Sequence, residues 1–421
     1  MTSSLLNITQ HYPNLIWRNL RSLCEWRKYL TLTDSTTNIN SPYIIGIPVT
    51  PEQEIFTGRN NISKCIEQLL LDHRHIPLLL YGQRRMGKTS LLNNLGRLLP
   101  NNIIPMFVDL QGAATSACKY TGFLYHIAKD MVNSAQTRGL ILPPLTREVL
   151  AANPCICFHE WLDQVEILLG DSTALLALDE FEVLDNAISK GCLHEQDVLG
   201  MLRHLIQHRP HFQLLLAGSH TLAEYQRWAN YLTDVQVVHL SYLSTAAARR
   251  LIEHPVKDFY LYYKPDAVEQ ILQLTRCHPF LVQLICAEII ALKNEQVPSM
   301  RRVVTVTDVE AAIPLALSSG SFFFADIQNN QVDSTGLAIL HHIAVHGEGA
   351  IVFVNPDIEN TLNLLLQREL IEKIAGGYRF QVELIRRWFE TPLHPWVLNL
   401  CVPGHYQITT GGDANTSKQK R

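Results

Sequence analysis

Lys88 and Thr89 close the run Gly82-Gln83-Arg84-Arg85-Met86-Gly87-Lys88-Thr89-Ser90, which has the spacing G-x-x-x-x-G-K-[ST]. Glycines let such a loop wrap until its backbone N–H groups converge on phosphate oxygens, at the positive end of the following helix. Lys88 would then reach the β- and γ-phosphates, and the Thr89 hydroxyl would ligate Mg²⁺. The flanks decide whether the pattern means anything. Before it, Ile76 to Leu80 is an apolar run short enough for a buried strand. After it, Leu91, Leu92, Leu95, Leu98 and Leu99 recur on one face of a helix. Strand, glycine loop and helix together predict a nucleoside triphosphate site.

A second constellation lies about 90 residues further on, a spacing that leaves room for a strand and helices between the two. Ala174-Leu175-Leu176-Ala177-Leu178-Asp179-Glu180 is an apolar strand ending in two adjacent carboxylates. Neighbours on a strand point to opposite sides, so the pair can divide its work. Asp179 would hold Mg²⁺, usually through water, and Glu180 would orient and polarise the attacking water. Phosphoryl transfer needs positioning and charge neutralisation more than covalent chemistry, so this small set suffices. Ser219 follows the apolar run Phe212–Ala217 and is placed either to hydrogen-bond the γ-phosphate or the water, or simply to turn the chain after Gly218. Arg249, Arg250 and Arg276 are each candidates for an arginine that completes the site. His204, His208 and His211 lack a partner ligand at matching spacing and do not read as a metal site.

Around these motifs strand and helix alternate. Strands are expected at Ile76–Tyr81, Ile103–Leu110, Ala174–Leu178, Phe212–Ala217 and Val235–Leu240, with helices at Tyr120–Val132, Phe158–Leu169 and Gln196–His208. That order predicts an α/β domain whose mainly parallel sheet is covered by helices on both faces. After Leu243 the strands stop. Helices follow at Thr245–Ile252, Asp266–Leu274 and Pro279–Leu292, and Thr307-Asp308-Val309-Glu310 reads as a capping box before Ala311–Leu317. The last folded unit reads helix (Thr335–Val345), helix (Thr361–Leu370), strand-turn-strand around Gly376-Gly377, and helix (Val382–Phe389), a winged helix-turn-helix order. The expected division is a helix and linker at 1–41, a P-loop domain at 42–243, a helical lid at 244–325, a winged helix at 326–393 and a disordered tail at 394–421. The stretch His11 to Leu30 carries Trp17, Trp26 and several basic residues, and reads as an amphipathic helix that packs on its own domain or meets a membrane or partner.

Bulk composition narrows the classes. A chain of 421 residues with 47% hydrophobic residues can build a large core. Its net charge of −4 gives no global pull toward nucleic acid or acidic membranes. Nine scattered cysteines form no zinc spacing or disulfide framework, and no secretory signal is evident, so a reduced cytoplasmic setting is expected. The most apolar helical stretch, Phe280 to Leu292, is too short to span a bilayer.

The ordered set Phe56-Thr57-Gly58-Arg59, the phosphate loop, Leu178-Asp179-Glu180, Gly218-Ser219 and His278-Pro279-Phe280-Leu281 resembles the signal-transduction ATPases with numerous domains. The similarity is to their archaeal-type branch, relatives of the AAA+ origin-recognition initiators, and covers about Pro42 to Phe389. It implies a fold of the AAA+-like P-loop class with a helical lid and a C-terminal winged helix. It also implies that Gly58 and Arg59 lie near the adenine and that Pro279 contacts the nucleotide. Cys277 stands where glycine is usual, and Asn60 replaces the usual acid. Gly377 to Trp388 resembles the winged-helix end of these proteins.

By the same resemblance, ATP or ADP with Mg²⁺ would set a switch: ADP holds the domains closed, and ATP opens them for oligomerisation or a protein partner. The alternative is a DNA-binding ATPase of the initiator or transposition-helper kind. Its recognition helix, Thr361–Leu370, holds one basic residue and one acid, with Arg379, Arg386 and Arg387 nearby as a local patch. A scaffold that binds nucleotide without hydrolysis is disfavoured by the intact Lys88, Thr89, Asp179 and Glu180.

Overall fold

The computed structural model describes residues 38–71, 76–112, 119–219, 228, 234–346, 356–375 and 377–390. The expected helix from His11 to Leu30, the start of the linker and the tail from residue 394 lie outside the described residues.

Five strands make the central sheet: β1 (Leu78–Tyr81), β2 (Ile103–Asp109), β3 (Thr173–Asp179), β4 (Phe212–Gly218) and β5 (Gln236–His239). Their order is β2-β3-β4-β1-β5, and every pairing is parallel. A parallel sheet is buried on both sides, which is why β1, β3 and β4 are mostly apolar runs rather than alternating, while the edge strand β5 exposes Val237 and His239. Alternation still sorts the side chains. Leu78, Leu80, Leu175 and Ala177 face α1 (Asn60–Leu70) and α2 (Lys88–Leu98), packing with Ile66, Leu91 and Leu95. Leu79, Leu176 and Leu178 face the opposite layer, built from α3 (Tyr120–Gln136), α5 (Pro154–Leu169) and α7 (Glu195–His208). Two short helices, α4 (Arg147–Ala152) and α6 (Glu182–Ser189), were not apparent in the sequence, because two turns or fewer give little periodicity.

Strand order builds the ligand-binding edge. β4 lies between β1 and β3, so Gly218 is in register with Tyr81, and Ala217 with Asp179. The carboxyl ends of three strands therefore meet on one edge, where parallel α/β sheets bind ligands.

Beyond the sheet come α8 (Thr245–Glu253), α9 (Pro265–Thr275), α10 (Pro279–Glu295), α11 (Val306–Ser319) and α12 (Ser321–Asp326), the last running into a π turn at Ile327–Gln331. The helix starts are chemically marked: Ser244 Oγ accepts from Ala247 N, and prolines occupy the first turns of α9 and α10. Two expectations are corrected. The capping box is Thr305 with Asp308, so Thr307 is already inside α11. Strands also do not stop at Leu243: β6 (Tyr262–Tyr263) and β7 (Val303–Val304) pair in parallel, each too short to carry a period-two signature.

The chain then forms α13 (Ser334–His346), α14 (Pro356–Gln367), an antiparallel hairpin of β8 (Ile371–Ile374) and β9 (Gly377–Phe380), and α15 (Glu383–Phe389). This is the helix, helix, strand, strand, helix order read from the sequence. One apolar cluster joins Tyr43, Val49 and Ile55 to Ile285 and Ile289 of α10 and on to Leu365, Ile385 and Phe389. The segment before α1, the middle helices and the C-terminal unit thus share a core.

Candidate nucleotide site

The loop between β1 and α2 turns on backbone geometry. Arg85 (φ 66°) and Gly87 (φ 90°) are left-handed, and Gly87 caps α2. At Gly82 a Cβ would lie 2.3 Å from the carbonyl oxygen of Leu240, so only glycine lets β1 leave the sheet here. Lys88 opens α2 and is buried; its Nζ donates to Gly82 O at 2.8 Å and Gln83 O at 3.2 Å, with Ser219 Oγ at 3.5 Å. Burial pulls its pKa down, while the charges of Glu180, Glu182 and Asp179 oppose that pull.

Thr89 Oγ1 donates to Asp179 Oδ2 at 2.6 Å. Burial pushes the Asp179 carboxyl up, against the Thr89 hydrogen bond and the Lys88 charge. Glu180 has left the strand: its φ is 54° and its N–H donates to Asp179 Oδ1. The two carboxylates diverge through this left-handed step, not through strand alternation as expected. Burial and then the nearby Glu182 charge raise Glu180 to about 7. Thr89 and Asp179 present hard oxygens from two elements at one point, a donor set that suits Mg²⁺, which keeps most of its waters. A bound Mg²⁺ would neutralise phosphate charge there.

A cavity of about 480 Å³ runs from this edge to the segment before α1. Arg84 to Ser90, Gln111 and Glu180 line it at the carboxyl edge of the sheet. Ile44, Ile47, Val49, Leu251, Pro279 and Gln283 are among the residues lining the rest. Pro279 therefore meets the cavity, as does Arg59. The Arg59 guanidinium is buried, and its hydrogen bonds go to Ser241 O and Met86 O, both at 2.7 Å. Burial lowers its pKa to about 10. In this arrangement Arg59 braces the phosphate loop against the exit of β5. Gly58 (φ 79°) supports that brace, since a Cβ would stand 2.4 Å from Ala247 Cβ.

Other loop side chains are engaged with neighbouring segments. Gln83 Nε2 donates to Arg368 O, Arg84 pairs with Asp326 at 2.9 Å, and Arg85 donates to Gly46 O while lying over the Phe280 ring. Ser90 Oγ accepts from Val49 N. None of Arg249, Arg250 and Arg276 is among the described residues lining the cavity. Arg249 pairs with Glu253 and Glu269, and Arg276 with Glu372.

Sequence reading missed Glu182. Its Oε1 accepts from Ser219 N at 3.0 Å, while Oε2 is buried without a hydrogen-bond partner. At Gly218 a Cβ would lie 2.4 Å from that oxygen. The signal was present in Asp179-Glu180-Phe181-Glu182, but only the fold of β4 beside β3 gives it meaning. Gln283 was missed for the same reason, since nothing local ties a mid-helix glutamine to a phosphate loop. Within the described residues, no helix is long and apolar enough to cross a membrane, and no three His, Cys, Asp or Glu side chains group to hold a metal.

The parallel sheet, the inserted β4 and the loop capping α2 define an α/β P-loop fold of the AAA+-like class. Residues 72–226 match the family model described as an AAA domain. Among solved structures, the chain is similar to the Walker-type ATPase of Pyrococcus abyssi, with 15% identity, a TM-score of 0.56 and coverage of 83% of this chain and 99% of that one. The ORC2 protein of Aeropyrum pernix, solved as ADPNP–ADP complexes, follows with 12% identity, coverage of 82% and 96%, and a TM-score of 0.44. The RuvB Holliday junction branch migration motor of Thermotoga maritima gives 15% identity, coverage of 79% and 94%, and a TM-score of 0.41. The first of these shares the fold. No curated protein matches the chain by sequence.

Proposed function

We propose that this chain is a slow, Mg²⁺-dependent ATPase that works as a nucleotide-dependent switch, engaging a protein partner or further copies of itself. The observation that carries the reading is the hydrogen bond from Gln83, in the phosphate loop, to the carbonyl of Arg368 at the end of α14. Three more contacts support it. Arg84 pairs with Asp326, Tyr242 donates to Glu369 O at 3.3 Å, and Arg276 pairs with Glu372 at 2.8 Å. The loop that would read the phosphates is thus bonded through Gln83 to the C-terminal winged unit and through Arg84 to Asp326 at the end of α12. A γ-phosphate that moves this loop changes the free energy of closure, which is what a switch requires.

In this reading Lys88 and the loop N–H groups hold the phosphates, and Thr89 and Asp179 hold Mg²⁺. Glu180 orients the attacking water and takes its proton, while Ser219 contacts the γ-phosphate or that water. The DNA-binding alternative is less favoured because its basic patch is already spent. Arg379 pairs with Glu372, Arg386 with Glu383 and Glu390, and Arg387 with Glu383 and Glu310. Among the described residues these three arginines already face carboxylates, which lowers the positive charge they offer to DNA phosphates.

The test is steady-state Mg-ATP hydrolysis by the purified chain, with and without duplex DNA at fixed moderate salt, alongside Glu180→Gln. Slow turnover indifferent to DNA, lost in the variant with ATP still bound, is expected. Several-fold stimulation by DNA would overturn the protein-partner reading. Full activity in Glu180→Gln would remove its assigned role.

A further inference from the structure

We infer that Gln283 selects the base, admitting adenine through its N1 acceptor and rejecting guanine, which carries a hydrogen at that position. The inference rests on the proposed nucleotide site and adds the basis of its specificity. The phosphates are anchored at Gly82–Thr89, so the base falls at the other end of the cavity, among Ile44, Ile47, Val49 and Gln283.

Gln283 lies one turn into α10, and its Oε1 accepts from Ile44 N at 3.1 Å. A backbone N–H can only donate, so the amide atom facing Ile44 must be the oxygen. The hydrogen bond therefore fixes the flip of the amide and turns the Nε2–H₂ group the other way. Among the described residues that group has no partner, and the side chain borders the cavity. It offers a donor to whatever base enters.

Adenine presents N1 as an acceptor. Guanine and hypoxanthine present N1–H, which would oppose this donor and lie unpaired. Guanine would also need an acceptor for its N2–H₂ group. The single carboxylate among the described lining residues is Glu180, and it belongs to the phosphate end. Ile44, Ile47 and Val49 beside Gln283 are apolar side chains, so they hold a purine without telling one from another. An unmet donor in such a site costs about tenfold or more in affinity.

The experiment is equilibrium binding of ATP, GTP, ITP and 1-deaza-ATP to the full chain, with Lys88→Ala as the control for the site itself. Wild type should bind ATP at least about tenfold more tightly than GTP, ITP or 1-deaza-ATP, the last because it lacks the N1 acceptor. Gln283→Glu keeps an oxygen for Ile44 N and offers a second acceptor to the base. It should weaken ATP and strengthen GTP and ITP, moving the ATP:GTP ratio by about a hundredfold, as expected when one contact is lost and another gained. Wild type binding 1-deaza-ATP as tightly as ATP overturns the inference, and so does an unchanged ratio in a folded Gln283→Glu. Nucleotide binding that survives Lys88→Ala sinks the site reading instead, so the two failures are distinct. The 1-deaza-ATP comparison needs no variant and decides the matter even if Gln283→Glu does not fold.

Discussion

Thr89 Oγ1 and Asp179 Oδ2 are joined at 2.6 Å, across 90 residues of sequence and two strands of the sheet. The contact exists because β4 separates β3 from β1 and sets the carboxyl ends of all three on one edge. Each partner alone is a common residue in a common place. Together they form the metal-binding corner of the proposed site, so their removal should affect the metal-dependent step far more than folding. Asp179→Asn is expected to lower ATP turnover by about 10² or more, as befits a lost charge-stabilising contact. ADP affinity in the presence of EDTA should change little. Hydrolysis titrated against Mg²⁺, with calorimetry of ADP binding, checks both halves.

Glu180 gives a pH dependence with a defined sign. Its carboxyl stands at about 7, raised by burial and by Glu182. As the group that orients water it must be ionised, so turnover should rise with pH through about 7 and level off above it. Stability runs the other way. A raised folded-state pKa means the folded chain binds more protons than the unfolded one between the ordinary carboxylate range and about 7. This group's contribution therefore falls as pH rises through that window. A kcat/KM profile from pH 5 to 9, which reports the free chain's ionisation, beside urea unfolding at each pH reads both trends.

Cys277 occupies a backbone conformation that suits glycine. Its φ is 61°, directly after Arg276 at 47°. A left-handed non-glycine residue costs about 1–2 kcal/mol, and glycine returns about 0.5–1 kcal/mol of that as lost chain entropy. Cys277→Gly should thus be neutral or stabilise by up to about 1.5 kcal/mol. Cys277→Val should destabilise clearly, because a β-branched residue is worst at positive φ. Thermal unfolding of the two variants ranks them against wild type.

The closure contacts predict an effect on nucleotide exchange. Arg84–Asp326 is half exposed and worth no more than about 1 kcal/mol by itself. Combined with loss of the Gln83 to Arg368 hydrogen bond, its removal should open the closed arrangement measurably. Gln83→Ala with Asp326→Ala is expected to speed ADP release roughly three- to tenfold. Stopped-flow release of a fluorescent ADP measures this, and an unchanged rate would detach these contacts from the switch.

Glu182 should matter through Ser219. Glu182→Gln keeps an oxygen for the Ser219 N–H, whereas Glu182→Ala leaves that donor unmet and a hole against Gly218. Turnover should fall at least about tenfold in the alanine variant and recover mostly in the glutamine one. In a Ser219→Ala background the same change should add little, since residues acting as a unit are not additive. Additive losses in the double variant would assign Glu182 a purely structural part.

Much of this was legible in the residues themselves. The phosphate loop could be read because its function depends on local backbone geometry: Gly82 and Gly87 are needed within six residues of each other, and the buried strand and amphipathic helix flank them directly. The five sheet strands were found to within two residues at each end for a similar reason, since burial of β1, β3 and β4 inside the sheet demands mostly apolar runs. Local patterning failed where the determinant was short or distant. The pair β6 and β7 has two residues in each strand, α6 has two turns, and the capping box was displaced because Thr305 and Thr307 both precede acids.

What only the tertiary structure decided is which distant residues share an edge. Sequence order says nothing about β4 lying between β1 and β3, yet that placement brings Ser219 to Lys88 and makes Glu182 its anchor. Arg59 was expected near the base; it borders the cavity, and only the packed chain shows its guanidinium bracing Met86 and Ser241, because a buried guanidinium must spend its donors on nearby carbonyls. Gln83 and Arg84 were counted as phosphate ligands; only the packed chain shows their side chains reaching Arg368 and Asp326. Local chemistry was written in the sequence, because it acts over a few bonds. The coupling between units was not, because it depends on contacts between distant residues, such as Gln83 with Arg368 and Arg84 with Asp326, 285 and 242 residues apart.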